Sequence, residues 1–151
     1  MPLESRLFVK IGLAYLMLTF ILGSVMLVFE ALHHPVPYVF AIEHAHLGTV
    51  GWLVNIVIGI ALWMLPLNRQ RFPSAQGRYP TRAVILCFAL LNVGLLMRLV
   101  CEPWYQLGGQ SFSAATLLVI SAVAQLIGIF IFVIIAWQRV RAPNRPAPGV
   151  R

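Results

Sequence analysis

Four runs of about twenty apolar residues constrain this chain more than any other feature, because each has the length that a bilayer core demands of a helix. They lie at about 8–30, 44–66, 82–102 and 112–137. A segment that crosses hydrocarbon must satisfy every backbone N–H and C=O from within itself, and a helix does so. With 151 residues and short connections there is no room for a soluble domain as well. The expected fold is therefore all-α, a single integral-membrane four-helix bundle over residues 1–151. Only 10% of residues are charged and the mean hydropathy is +0.88, far from the balance of a soluble domain. The first run is followed by Glu30 and His33-His34-Pro35 and has no small-residue cleavage pattern, so it reads as a retained helix rather than a signal peptide.

A net charge of +7 would suggest nucleic acid in a soluble protein, but the placement of the charges points to a membrane instead. Arg6 and Lys10 precede or open the first run, Arg69, Arg71, Arg78 and Arg82 follow the second, and Arg139, Arg141, Arg145 and Arg151 follow the fourth. Glu30, Glu43 and Glu102 fall on the other side, with Arg98 as the single cation there. The positive-inside rule then predicts both termini in the cytoplasm, in a multi-pass protein of the cell (inner) membrane. The loop from Leu67 to Thr81, with Pro73, Gly77 and Pro80, reads as a mobile surface turn, and the basic tail 138–151 as a disordered end lying on anionic lipid. Cys87 and Cys101 share the third run about 21 Å apart along a helix, too far to bridge, and read as packing residues.

Small and polar residues mark where helices meet in lipid. On the first run these are Gly12, Thr19, Gly23 and Ser24. Asn55 on the second run and Gln125 on the fourth are expected to bond to neighbouring helices. Met97 on the third is a possible metal or heme ligand by residue type, and a packing residue by frequency.

The chemistry concentrates in Glu43-His44-Ala45-His46, at the outer start of the second run. Ionisable groups at membrane depth are functional candidates. Residues two apart are turned by about 200° around a helix, so His44 and His46 serve opposite flanks and cannot easily grip one small ion together. Gly48 and Gly51 clear the helix surface beside them, as a flat ligand or a close helix would require. Three chemistries fit: heme iron ligation, a copper or zinc site drawing in His33 and His34, or a proton relay with Glu43. Histidines that merely satisfy helix-end hydrogen bonds are the plain alternative. There is no phosphate loop, dinucleotide fingerprint or catalytic triad.

The run His44-Ala45-His46-Leu47 through Gly51-Trp52, Gly59 and Trp63-Met64-Leu65-Pro66, with Asn92 and Arg98 on the next run, resembles the catalytic subunit of heme-copper oxidases and nitric oxide reductases. That subunit has three four-helix arcs, the ligating histidines lie on the second helix of each arc, and one arc carries a His-x-His pair serving two hemes. This chain is about one arc long. The resemblance implies heme b held by His44 and His46 as axial ligands, with Gly48 and Gly51 lining the site and Arg98 facing the propionates. It also implies a homotrimer that rebuilds the ring, with a dimer as the runner-up. A single arc lacks the copper histidines and the cross-linked tyrosine, so the expected role is electron transfer or gas-ligand binding, leaning away from an enzyme. The competing expectation is a structural subunit of a larger respiratory or photosynthetic membrane complex.

Overall fold

A computed structural model describes residues 1–140, all of them in helices and their connections, with no strand among the described residues. Four helices are long and apolar enough to cross a membrane: α1 (Leu3–Ala31), α2 (Tyr38–Met64), α3 (Thr81–Leu107) and α4 (Phe112–Arg139). Prolines set three of the starts. Pro2, Pro37 and Pro80 each stand just before the first helical residue of α1, α2 and α3 in extended or turn backbone, where a missing N–H costs nothing. The fourth start is capped by Ser111, whose hydroxyl accepts from the Ala114 N–H at 3.3 Å.

Helix α2 begins at Tyr38, six residues before the expected boundary at His44, because Pro35 and Pro37 break the chain sooner than the apolar run begins. The histidines therefore sit inside the helix, past its first turn. Helix α3 also runs past its expected end, carrying Pro103 inside it and stopping at Leu107.

The helices pack as two pairs joined at a common core. Between α1 and α2, a Cβ on Gly12 would fall 3.0 Å from Ile56, one on Gly51 would fall 2.8 Å from Tyr15, and one on Gly59 would fall 2.9 Å from Val9. Between α3 and α4, Gly94 and Gly128 give the same closeness, with Leu91 at 2.8 Å from the position a Gly128 Cβ would take. Such close backbone approach is how helices associate in lipid, where burial of apolar surface supplies no drive. Phe8, Ile58, Leu62, Tyr79, Val84, Cys87, Leu91 and Ile135 form the core that joins all four helices, and Tyr15, Leu47 and Leu95 form a second cluster nearer the histidines. Large apolar side chains such as Phe20, Leu27, Leu126 and Phe130 face outward, as lipid-facing residues do. Cys87 and Cys101 are both buried and unbridged.

Polar bonds between helices fall partly where expected. Asn92 Nδ2 donates to Asn55 Oδ1 at 3.1 Å, linking α3 to α2. On α4 the bond to the neighbouring helix comes from Ser121, which donates to the Gly94 carbonyl at 2.7 Å, while Gln125 donates back to Ser121 at 3.1 Å and stays within its own helix. Gln125 is displaced from the expected role because its stem fills the space beside Gly94, 3.0 Å from where a Cβ would stand.

At the end of the bundle that carries the arginine-rich loop, Arg139 is not a tail charge as expected. It is 2% exposed. Its guanidinium donates to the carbonyls of Leu62 at 3.0 Å, Pro66 at 3.2 Å and also Leu65, and its charge lies 5.4 Å from the centre of the Tyr79 ring. These are the carbonyls left open where α2 ends, so one cation closes a helix terminus of matching polarity. The loop expected to be mobile is tied to the same place, because Asn68 donates to the Gln138 carbonyl at 2.6 Å and Arg71 Nε to the Gln138 side chain at 3.1 Å. Arg141, Arg145 and Arg151, the remainder of the basic tail, lie outside the described residues.

Candidate functional site

The residues following His46 do not continue as an α-helix. From Leu47 to Val54 the backbone is a π-helix, and α geometry resumes at Asn55. Wide turns of this kind are rare and recur at functional sites. Asn55 sits at the exit and donates to the carbonyls of Val50 at 3.1 Å and Gly51 at 2.9 Å, tying the widened turn to the resumed α-helix. Gly48 and Gly51 lie inside this segment. The surface they clear is occupied by α1: Tyr15 packs on Gly51, and the Thr19 methyl lies 3.4 Å from where a Gly48 Cβ would stand. In this chain the two glycines serve helix approach.

The two histidines, about 200° apart around the helix, differ in how their rings are held. His46 is half-buried, and its Nδ1 lies 2.9 Å from the Ile42 carbonyl one turn back. A carbonyl only accepts, so Nδ1 carries the proton and Nε2 keeps its lone pair. This is the arrangement found at ligating histidines, where the second nitrogen donates to a carbonyl or carboxylate and thereby fixes tautomer and ring orientation. His44 turns instead toward α1. Its ring covers Gly23, where a Cβ would come within 2.8 Å of Cε1, and its Nδ1 is buried without a hydrogen-bond partner.

Glu43 faces the bundle interior, 3% exposed, with neither carboxylate oxygen hydrogen-bonded. Across from it on α3, Arg98 Nε and Glu102 form an ion pair at 2.7 Å, and both of these charges lie close enough to act on Glu43. Of the two roles open to Arg98, reaching for headgroups or pairing with an anion near the histidines, the structure shows the second, with the partner one turn away on its own helix. Two carboxyl groups and one guanidinium form a compact polar layer between α2 and α3 at the depth of the histidines. The i,i+4 spacing of Arg98 and Glu102 was the sequence signal for the pair. Nothing in the sequence pointed to Glu43 joining it, since that depends on how α2 is turned against α3.

His33 and His34 stay apart from this layer. Both are exposed in the connection between α1 and α2, His33 in left-handed backbone at φ 59° and His34 with its ring 6.0 Å from that of Phe29. They line a surface cleft of about 450 Å³ with Glu30 and the prolines. Among the described residues no three His, Cys, Asp or Glu side chains come together to hold a metal ion, so the expected gathering of four histidines around copper or zinc is not formed. Met97 is half-buried on α3.

Comparisons with protein-family models, with curated proteins and with solved structures found nothing that matches this chain.

Proposed function

We propose that the protein is a b-type heme protein of the cell (inner) membrane, with both termini cytoplasmic, that takes heme at the outer end of α2. The observation that carries this reading is the bond from His46 Nδ1 to the Ile42 carbonyl, which leaves an Nε2 lone pair fixed in direction on an apolar helix. A porphyrin iron is the ligand that such an imidazole suits in hydrocarbon, where a free ion would lack further donors. His46 is the better prepared of the two expected ligands, since the Nδ1 of His44 has no acceptor to fix its ring. Heme bound there supplies one-electron transfer or the binding of a small gas.

The chain's own residues support the group in two ways. The π segment beyond His46, held by Asn55, keeps the following backbone in a fixed register. Arg98 places positive charge at the same depth, though its pairing with Glu102 means that it reaches a propionate only by sharing that carboxylate. One chain covers one side of a porphyrin, so the second face and the second axial ligand come from another copy. With His46 as the ligand from each chain, a twofold dimer whose two His46 side chains take the two faces of one heme supplies both axial ligands, and the ring of three implied by the resemblance becomes the runner-up because it needs a second ligand from each chain.

Alanine substitutions test the ligand. His46→Ala is expected to lower the heme content of purified protein at least tenfold, while His44→Ala retains most of it. Wild-type heme content in His46→Ala refutes the assignment. Native mass spectrometry in mild detergent reads the assembly, and a heme-loaded monomer would refute the shared site.

A further inference from the structure

Beside His44 a groove of about 280 Å³ opens between α1 and α2, lined by Thr19, Phe20, Gly23, Ser24, Leu27 and His44. It is separate from the charged layer, because Glu43 turns inward while His44 turns to α1. Phe20, Ser24 and Leu27 are exposed on the outer surface of α1, so the groove opens sideways toward lipid. Ser24 lies seven residues from the end of α1, about 10 Å along the axis.

Two polar groups at this groove lack an intrachain partner. Hydroxyls elsewhere on these helices bond to the carbonyl one turn back, as Thr19 does to Tyr15, Thr49 to Ala45 and Thr116 to Phe112. Ser24 makes no such bond, nor any other. His44 is the second, with Nδ1 buried and unpaired. Orphaned buried N–H groups are the rarest kind of unsatisfied polar group, so Nδ1 is the bare nitrogen and the proton sits on Nε2. His44 then donates from Nε2 and keeps its lone pair on the buried Nδ1, out of reach of an iron, the opposite tautomer to His46. A donor and a hydroxyl facing hydrocarbon have no water to accept from them, so a ligand that accepts there is favoured.

We infer that this groove binds a neutral, single-ring, lipid-soluble carbonyl compound, the chemistry of a quinone headgroup. The lining holds no Lys, Arg, Asp or Glu, which argues for a neutral occupant rather than a phosphate or carboxylate. Its volume lies just under the range of ~300–1,000 Å³ usual for drug-sized ligands, enough for one ring and too small for a macrocycle. Gly23 lets the His44 ring lie against α1 at the edge of the groove, Phe20 gives an aromatic wall, and His44 Nε2–H with the Ser24 hydroxyl are the donors for a ring carbonyl. The inference rests on the proposal above in one respect, that iron belongs to His46 and leaves His44 free.

The test uses the full chain in lipid nanodiscs, titrated with a short-tail ubiquinone analogue by isothermal calorimetry, with heme content measured on the same samples. Saturable binding, weakened severalfold in Ser24→Ala and at least tenfold in His44→Phe with heme retained, supports the site. Absence of saturable binding, or an unchanged isotherm in His44→Phe, overturns it. Loss of heme in His44→Phe also overturns it, since it returns His44 to the iron. A colourless protein whose quinone binding still depends on His44 would overturn the heme reading and leave the groove in place. Ser24→Leu fills the groove from the exposed face of α1 and serves if His44→Phe does not fold; it must abolish binding, and retained binding counts against the site.

Discussion

Replacing Asn55 with leucine, nearly the same in size, tests how the widened turn of α2 is held. Asn55 makes two bonds to the Val50 and Gly51 carbonyls and accepts a third from Asn92 across to α3. The interhelical bond is worth about 0.6 kcal/mol on average in membrane proteins and at most about 1.7 kcal/mol. Each of the two backbone bonds adds about 1 kcal/mol net. Asn55→Leu should therefore cost about 2.6–3.7 kcal/mol. Asn92→Leu loses the interhelical bond and a local one to Phe88, and should cost about 1.6–2.7 kcal/mol. Unfolding in mixed dodecyl maltoside and SDS micelles, followed by far-ultraviolet circular dichroism, measures both. The double variant isolates the coupling, expected at about 0.6–1.7 kcal/mol. If Asn55→Leu costs no more than Asn92→Leu, the π turn does not depend on its asparagine and the argument fails.

The buried cation at the other end gives a second expectation: Arg139→Met should destabilise by about 2–4 kcal/mol in the same assay, because it strips charged donors from three carbonyls at the end of α2, and a loss below 0.5 kcal/mol would show that water takes over the capping. Burial pushes the Tyr79 phenol above the usual tyrosine range, so its neutral form is favoured in the fold. Its contribution is complete below an ordinary pKa of about 10 and is lost as pH rises through the raised folded value. Tyr79→Phe should accordingly flatten the alkaline limb of the stability profile, and an unchanged limb would contradict this. Topology is read by membrane-impermeant maleimide on intact cells, with Cys87 and Cys101 buried and silent: exposed Ser113→Cys should label and exposed Ser74→Cys should not, and the reverse pattern inverts the protein in the membrane.

Much of the fold was legible because lipid imposes a simple rule on sequence. Four apolar runs became four helices, and Asn55 met a neighbour as its depth implied. What escaped depended on how helices are turned against each other. Gly48 and Gly51 were open to a ligand or to a close helix, and only the position of Tyr15 and Thr19 on α1 decides for the helix. Arg139 looked like one more surface charge at the end of an apolar run, yet the open end of α2 stands beside it and draws it in. The π segment has no residue signature beyond its glycines and the asparagine that follows, so its presence after His46 could not be read from spacing. The contrast between His44 and His46 was equally hidden, since both share a helix and differ only in whether a carbonyl or a glycine meets the ring.

The most direct measurement is the visible absorption spectrum of the purified wild-type protein, from cells supplied with a heme precursor, before and after reduction with dithionite. A Soret band that shifts on reduction, with a b-type pyridine hemochrome, is the predicted result. A folded, helical and colourless protein that takes up no added hemin would contradict it.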